Sequence, residues 1–373
     1  MFILFQKSIR FLRATTAGSI AAFGGIDRFR SKHIFFNWFR WKGGKEMKKI
    51  KFLNTELSVA PLCLGTVNYG SAMPEKEAIH QLSRYVELGG NFIDTAHIYG
   101  DWEPGMGPLS ETAIGKWLKE FPERDRLVIS TKGAHPRMQT MQIPRCSDAE
   151  IEEDLNSSLE LLHTDYVDLY FLHRDDPRRP AGEIVEFLEK QVKAGKIRYY
   201  GCSNWKLSRV MEANAYAKEH GLQGFVCNQL MWSLADVNFS GLADQSFVLM
   251  DQETYSYQGR AGLNAMAYMS VAKGYFTRRA AGEALPKSVT DVYDGEANDQ
   301  IFSLLKKACG DGECSMMDYA LRYLMEGHPF PSVPIASFDN DEQLAAGMGS
   351  VEAPVDPQVM EALRRVKKLS MDC

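Results

Sequence analysis

The stretch SDAEIEEDLNSSLELLHTDYVDLYFLH, residues 147–173, contains one complete helix–strand unit. Apolar residues recur every three or four positions in its first half, which predicts an amphipathic helix. They are Ile151, Leu155, Leu159 and Leu162. Ser147 and Glu150 have the spacing of a capping box at the start of this helix. The apolar run VDLYFLH that follows is typical of a strand buried on both faces, so the unit predicts a parallel sheet covered by helices.

Units of the same kind repeat along the chain after residue 47, and another helix is expected over 183–194. A segment before them, KKIKFLNTELSVA, predicts a hairpin that turns at Asn54 and Thr55. The expected strands are PLCLG 61–65, NFID 91–94, LVIST 127–131, VDLYFLH 167–173, IRYYGCS 197–203, FVCNQ 225–229, LNAMAY 263–268 and SVPIA 332–336. Eight strand–helix units favour an α/β fold that closes into a (β/α)₈ TIM barrel with an N-terminal β-hairpin.

An open dinucleotide-binding sheet is the weaker alternative. Such a sheet carries G-x-G-x-x-G directly after its first strand, where the glycines let the backbone approach a pyrophosphate. The nearest match here is GMGPLS at 105–110, which follows the second strand and lacks the last glycine.

Residues 1–46 differ from the rest of the chain. They hold nine Lys or Arg residues against two acids, Asp27 and Glu46. A basic, aromatic stretch of this kind is typical of a targeting peptide or a membrane-surface helix. We favour the interpretation that 1–46 is an extension outside the fold and that Met47 is the true start of the protein. Residues 47–373 are then one barrel domain.

Composition narrows the possible partners. The net charge of −5 argues against nucleic acid, because phosphate binding needs a basic surface. The seven cysteines are scattered, with no C-x-x-C pair and no metal-ligand spacing, which predicts a cytoplasmic protein with reduced thiols and no metal. No apolar run reaches the roughly 18 residues that span a bilayer, so no membrane contact is expected for 47–373. The oligomeric state is left open.

Four residues that can carry chemistry follow the predicted strands. Asp94, Lys132 and His173 come at or just after the second, third and fourth strands, and Tyr99 lies in the loop DTAHIYG. The carboxyl ends of barrel strands meet at one rim, where catalytic groups gather. Each residue alone has a structural explanation, as a cap, a loop aromatic or a core histidine. The combination at one rim favours function.

The four side chains suit carbonyl reduction, which needs a proton on oxygen as well as a hydride on carbon. A free tyrosine has a pKa of about 10 and is a poor acid at neutral pH. The Lys132 ammonium is expected to lower the pKa of Tyr99, and Asp94 is expected to hold Lys132. His173 would donate a hydrogen bond to the carbonyl oxygen.

The segments FIDTAHIYG, ISTKG, VDLYFLHRDDP, GKIRYYGCSNW and VCNQLMWSLA resemble the aldo-keto reductase superfamily, over essentially all of 48–370. The resemblance implies a (β/α)₈ barrel, reduction of carbonyls with NAD(P)H and the same four catalytic residues. It also implies that Ser203, Asn204 and Gln229 contact the nicotinamide carboxamide and that Tyr268 stacks on the ring. The alternative for these residues is strand-end capping and rim packing.

Two segments depart from the family pattern. The first is VPIASFDNDEQLAAGMG, 333–349. Asp339 stands where the family has a basic residue that binds the adenosine 2′-phosphate. Gly347 stands where the family has an Asn that contacts the adenine. A carboxylate repels a phosphate, so we expect a preference for NAD(H) over NADP(H). The alternative is that Asp339 faces solvent and another base serves. The family's Y-S-P-L turn becomes YMSV at 268–271, which leaves Ser270 as a backbone contact to the pyrophosphate.

The loops after the strands hold four candidate substrate contacts: Trp102, His135, Trp205 and Trp232. Aromatic side chains interleaved with the charged run at 174–176 favour a small polyhydroxylated carbonyl, such as a sugar, over a lipid. Rim packing is the alternative for each aromatic residue. The insertion at 235–260 is expected to shape or cover the site.

The leading functional hypothesis is an NAD(P)H-dependent reductase of aldehydes or sugar-like ketones. A second hypothesis is an enzyme that keeps and recycles its NAD, oxidising a sugar transiently so that elimination or glycoside cleavage can follow with no net redox change. A third is a binding module that senses the state of the nicotinamide. The sequence does not identify the substrate or the physiological direction.

Overall fold

The computed structural model describes residues 47–101, 105–310 and 312–369. The predictions made for residues 1–46 and for Trp102 lie outside these residues. Within the described ranges, the chain from Met47 onward belongs to one compact unit. No helix in this part of the chain is both long and apolar enough to cross a membrane.

Eight parallel strands close into a barrel, which confirms the predicted TIM barrel. The last strand pairs with the first, with Ile335 opposite Cys63, and this pairing completes the ring. The strands of the barrel are β3 Cys63–Gly65, β4 Phe92–Asp94, β5 Val128–Gly133, β6 Val167–Leu172, β7 Ile197–Ser203, β8 Cys227–Met231, β9 Asn264–Tyr268 and β10 Ser332–Ala336.

Helices follow the strands and cover the outside of the barrel. They are α1 Glu75–Glu87, α2 Leu109–Leu118, α3 Asp148–Leu162, α4 Ala181–Lys193, α5 Leu207–Glu219, α6 Gln252–Ala261, α7 Tyr275–Ala280, α8 Lys287–Tyr293, α9 Glu296–Ala308, α10 Met316–Met325, α11 Asp341–Gly349 and α12 Pro357–Val366. The predicted capping box of α3 is present: Ser147 accepts from the Glu150 amide, and the Glu150 carboxylate accepts from the Ser147 amide. The capping box therefore fixes the start of α3, as the sequence indicated.

The predicted hairpin is also present and closes one end of the barrel. Strands β1 Ile50–Lys51 and β2 Ser58–Val59 pair antiparallel across a loop in which Asn54 has a φ of 58°. Phe52 and Leu57 from this loop are buried against the side chains inside the barrel. Since these apolar side chains fill the amino end, the carboxyl end of the strands is left for a site.

Two strands run further than their sequences indicated. Strand β5 continues through Lys132 and Gly133, because these residues pair with Phe171 and Leu172 of β6. Strand β8 likewise extends two residues past Gln229. As a result Lys132 lies within a strand, and its side chain is buried rather than exposed at the rim.

The insertion expected to cover the site is shorter than predicted. Helix α6 begins at Gln252, where Asp251 caps it by accepting from the Thr254 amide. The irregular part of the insertion is therefore 235–251, with one short turn of 3₁₀-helix at Phe239–Gly241.

Candidate active site

The structure brings Asp94, Tyr99 and Lys132 into contact at the carboxyl end of the barrel. The Lys132 ammonium donates to Asp94 Oδ2 at 2.6 Å, to the Thr95 carbonyl at 2.7 Å and to the Tyr99 hydroxyl at 3.3 Å. An ammonium has three donors, and all three are used here. Lys132 is 1% exposed, so these contacts replace its water shell completely.

Asp94 is held on its other side by two donors. Ser130 donates to Asp94 Oδ1 at 2.7 Å, and Gln229 donates to the same oxygen at 2.9 Å from across the barrel. Ser130 was missed by the sequence reasoning, although alternation along β5 places it on the same face as Lys132. Gln229, expected at the carboxamide, here also positions the carboxylate that holds Lys132.

The charge of Lys132 and the proton of Tyr99 follow from this geometry. Burial lowers the pKa of Lys132, but Asp94 and Tyr99 raise it more, so the amine stays charged. Burial raises the pKa of Tyr99, and Lys132 only partly opposes this effect, so the pKa stays above its ordinary value. The sequence argument expected a net decrease; the direction of the Lys132 effect is as expected, but desolvation of the phenol outweighs it.

His173 lies against Tyr99, with ring centroids 6.0 Å apart at 76°. Burial lowers its pKa well below the ordinary value, and His135, Arg174 and Lys132 lower it further, so the ring is neutral. Its Nδ1 is buried and has no hydrogen-bond partner in the described part of the chain. A buried lone pair without a partner is tolerated better than a buried N–H without one, so we assign the proton to Nε2.

The residues expected at a nicotinamide ring also come together. Ser203 at the end of β7 pairs in register with Gln229 of β8, and Asn204 follows with a φ of 59°. The Asn204 amide donates to the Ser203 hydroxyl at 3.0 Å, and its oxygen accepts from the Tyr268 hydroxyl at 2.6 Å. Amide and hydroxyl groups beside an aromatic ring have the chemistry needed to hold a carboxamide-bearing ring, so the residues present fit a nicotinamide.

The segment 244–248, which we call the strap, lies over these residues. Arg174 donates to Asp244 and to the Ser246 hydroxyl, each at 3.0 Å, and to the His173 carbonyl at 2.8 Å. The Val248 amide donates to Asn204 Oδ1 at 3.1 Å. These contacts link the strap to the residue beside His173 and to the expected carboxamide site.

The turn after β9 and the start of α11 are expected to face the rest of the cofactor. The Ser270 hydroxyl donates to the Ile335 carbonyl at 2.7 Å, so the backbone of Ser270 is the part left for a ligand. Asp339 is exposed just before α11, and its amide donates to the Gln343 side chain. A Cβ on Gly347 would lie 2.4 Å from the Phe338 ring, which explains why no larger side chain stands at this position.

The candidate substrate residues have different surroundings. Trp205 is 1% exposed and packs on Phe225, with ring centroids 5.0 Å apart. Trp232 is 3% exposed and lies in a cluster of aromatic rings. That cluster also contains Tyr255, Tyr323, His328 and Phe330. Burial of both indoles favours the packing alternative for Trp205 and Trp232. His135 is partly exposed, and its ring centroid is 4.8 Å from that of His173.

A cavity of about 440 Å³ opens beside this rim. The part of its lining that concerns the site consists of Lys132, His135, His97, Asp101 and Arg137. Tyr99 and His173 are not among the described residues that line it, so the cavity adjoins the four-residue cluster rather than covering it. The sequence reasoning did not single out His97, whose Nδ1 is 3.1 Å from the buried Glu111. In the described part of the chain, no cluster of His, Cys, Asp or Glu side chains is arranged to hold a metal ion.

A closed barrel that gathers Asp, Tyr, Lys and His side chains at its carboxyl end defines the class, a TIM-barrel enzyme. The chain belongs to the aldo/keto reductase family, whose model matches residues 61–368. It is therefore an aldo-keto reductase enzyme, of a family that uses NAD(P)H.

Individual relatives agree with this assignment. The uncharacterized oxidoreductase YrpG of Bacillus subtilis (strain 168) is 30% identical over 321 residues, which cover 84% of this chain and 93% of the relative. Norsolorinic acid reductase B of Dothistroma septosporum is 25% identical over 321 residues, which cover 82% and 77% of the two chains. Among solved structures, the holo form of aldo-keto reductase AKR11C1 from Bacillus halodurans matches with a TM-score of 0.67 and 25% identity. That match covers 87% of this chain and 98% of the other.

Proposed function

We propose that the protein transfers a hydride between a nicotinamide cofactor and a carbonyl or alcohol substrate, with Tyr99 as the general acid. The substrate is an aldehyde or a sugar-like ketone. The observation that carries this proposal is the buried Lys132 ammonium, which holds Asp94 at 2.6 Å and the Tyr99 hydroxyl at 3.3 Å. Burying a charge of this kind carries a desolvation penalty that lowers stability, and such buried charges cluster at functional sites.

The bound cofactor supplies the hydride, and the side chains supply the proton. Tyr99 holds its proton at neutral pH, since burial raises its pKa, and it gives that proton to the carbonyl oxygen only as negative charge develops there during hydride transfer. The phenolate that remains lies next to the Lys132 ammonium, which stabilises its charge. His173 Nε2–H donates a hydrogen bond to the same oxygen and stabilises the negative charge that develops there.

Four residues would hold the nicotinamide end of the cofactor. Ser203, Asn204 and Gln229 offer hydroxyl and amide groups to the carboxamide, and Tyr268 offers a ring for stacking. The backbone at Ser270 would approach the pyrophosphate. This set is the one implied by the family resemblance, and the contact between Asn204 and Tyr268 supports it.

We propose further that the enzyme prefers NAD(H). Three carboxylates stand at the start of α11: Asp339, Asp341 and Glu342. Within the described residues, Asp341 alone among them contacts a side chain that can carry positive charge, with its Oδ2 2.7 Å from His80 Nε2. Two unit charges of like sign at about 4 Å repel by roughly 4 kcal/mol near a protein surface before screening, so a 2′-phosphate here is opposed.

The charged lining of the neighbouring cavity supports a small, polar substrate rather than a lipid. A cytoplasmic location stays a prediction from the spacing of the cysteines.

The test follows absorbance of the reduced cofactor while NADH or NADPH is mixed with a panel of aldehydes and sugars. Steady consumption supports the reductase. Conversion of a sugar without net consumption would instead identify the recycling enzyme, and cofactor binding with neither would identify the sensing module. In Tyr99→Phe we expect kcat to fall at least about 100-fold with an unchanged Kd for cofactor. Tyr216→Phe, which removes the exposed hydroxyl of a partly buried tyrosine on α5, is the matched control. Full activity of Tyr99→Phe would overturn the proposal.

Dissociation constants test the cofactor preference. We expect wild-type protein to bind NADH more tightly than NADPH, and Asp339→Arg to strengthen NADPH binding at least about tenfold while NADH binding stays the same. Tighter binding of NADPH by the wild type would contradict the preference for NAD(H).

A further inference from the structure

His135 lies beside the proposed proton-transfer residues without belonging to them. Its ring centroid is 4.8 Å from that of His173, with the planes at 67°. It also lines the cavity of about 440 Å³ that adjoins the rim. His135 is therefore placed between the reacting end of the site and the room in which the rest of a small substrate would lie.

The hydrogen bond that His135 makes determines which of its nitrogens carries the proton. Nδ1 is 2.6 Å from the Pro136 carbonyl oxygen, and a carbonyl oxygen only accepts, so Nδ1 is the donor. Burial lowers the pKa of His135 to about 4, with a further lowering contribution from Arg174, so the ring is neutral at ordinary pH. In a neutral ring with its proton on Nδ1, Nε2 is an acceptor.

This acceptor has no partner within the described part of the chain. No residue there hydrogen-bonds Nε2 of His135, and the nitrogen is not among the buried unpartnered atoms, so it is open to a ligand. Two nearby cations are engaged elsewhere, Arg174 by Asp244 and Ser246, and Arg145 by Asp154. Arg137 also lines the cavity, and within the described residues no hydrogen bond joins it to His135. The acceptor of His135 is therefore left for a donor that comes from outside the protein.

The two adjacent imidazoles offer opposite groups. His173 presents an N–H, because its Nδ1 is buried without a partner in the described residues. His135 presents a lone pair, because its Nδ1–H is used by Pro136. A ligand that satisfies both rings has an acceptor for His173 next to a donor for His135. A carbonyl oxygen with a hydroxyl on the neighbouring carbon has this arrangement.

We propose that His135 is a specificity-determining residue that accepts a hydrogen bond from a hydroxyl on the carbon next to the reacting carbonyl. The substrates are then α-hydroxy aldehydes and α-hydroxy ketones. This inference rests on the proposed function, because it requires the carbonyl oxygen to lie between Tyr99 and His173. A site built to accept from a hydroxyl disfavours an analogue that lacks it, since the acceptor is then left unpaired.

The experiment measures kcat/KM for two substrate pairs that differ in this hydroxyl: lactaldehyde with propionaldehyde, and hydroxyacetone with acetone. Because the hydroxyl also changes the intrinsic reactivity of the carbonyl, the preference is compared between wild type and His135→Phe. We expect the preference of the wild type for the hydroxylated member to exceed that of His135→Phe by about 10- to 100-fold. His135→Asn, which restores an acceptor on a shorter side chain, should recover part of that preference.

The outcomes separate this inference from the proposed function. The Tm and the cofactor Kd of His135→Phe check that its fold and its cofactor site are intact, and the preference is a ratio of two kcat/KM values, so a loss of activity common to both substrates cancels. If wild type and His135→Phe share the same preference while both reduce carbonyls, the inference is overturned and the proposed function stands. If wild-type protein reduces neither member of either pair with NADH or NADPH, the proposed function and the inference fall together.

Discussion

Asp94→Asn is the substitution that probes the centre of the site most directly. Asparagine keeps the size and shape of the side chain and removes its charge. Asp94 is 2% exposed and Lys132 is 1% exposed, so the ammonium would stay buried without a counter-charge. The amide nitrogen of the new side chain would also face donors that the carboxylate now accepts from, either Ser130 and Gln229 together or Lys132.

The expected loss of stability can be worked from these contacts. Removing one partner of a buried ion pair costs about 3–5 kcal/mol. Lys132 keeps its bonds to the Thr95 carbonyl and the Tyr99 hydroxyl, which places the cost near the lower end, at roughly 3 kcal/mol. For a chain of this size each kcal/mol lowers Tm by about 2 °C, so we expect a decrease of about 6 °C. Turnover should fall at least about tenfold, because the group that stabilises the Tyr99 phenolate loses its position.

The assay combines thermal unfolding with steady-state kinetics, and Asp168→Asn is the matched control. Asp168 is a buried carboxylate near the start of β6, at the other end of the barrel, paired with Arg124 at 2.9 Å and Arg198 at 2.7 Å. Its loss should lower Tm and leave kcat and cofactor Kd unchanged in the folded protein. An Asp94→Asn protein with the Tm and kcat of wild type would refute the assigned role of the pair.

Three further predictions concern other parts of the molecule. Burial lowers the pKa of His328 to about 4 against 6.5 in the unfolded chain. The unfolded state therefore binds this proton first, and stability is lost as pH falls from 6.5 through 4. By pH 4.5 the lost stability amounts to about 2.5 kcal/mol. In urea unfolding, the decrease in unfolding free energy between pH 7 and pH 4.5 should therefore be smaller for His328→Phe than for wild type by this amount. An equal decrease in the two proteins would contradict the assignment. Asp244→Asn should speed amide hydrogen exchange in the strap, residues 244–248, by about fivefold because Arg174 loses a charged partner, with α3 as the unchanged reference. Ser147→Ala should lower the free energy of unfolding by about 1 kcal/mol and leave kcat as it is; an unchanged unfolding free energy would show that the capping box contributes nothing.

Much of the fold could be predicted because periodicity is local information. The stripe beginning at Ile151, the capping residues Ser147 and Glu150, and the apolar run of β6 each depend on neighbours within a few positions. Parallel strands buried on both faces are joined by helical crossovers, so eight such units favoured a closed barrel. The ends of β5 and β8 were each predicted two residues too early, because a strand ends where its neighbours stop pairing with it, and its own residues do not determine that point.

The candidate site was predictable in part for the same reason. The carboxyl ends of parallel strands converge, so Asp94, Lys132 and His173 were expected to meet from their positions alone. The expected decrease in the pKa of Tyr99 was wrong in its net direction, because desolvation depends on every atom around the ring. The burial of Trp205 and Trp232 could not be predicted from their positions after a strand. An aromatic side chain at the rim can point into the site or pack against the core, and the sequence does not distinguish the two.

The sequence by itself determined the barrel, the family and which residues stand at its carboxyl rim. Only the tertiary structure decided how these residues are used. The bond from Gln229 to Asp94 joins two strands on different sides of the barrel, and Arg174 meets Asp244 only because the strap folds back over the rim. His135 bonds to its own neighbour Pro136, but its burial and its position beside His173 come only from the folded barrel. Period and spacing are properties of the chain, whereas hydrogen-bond partners and burial exist only after the barrel has closed.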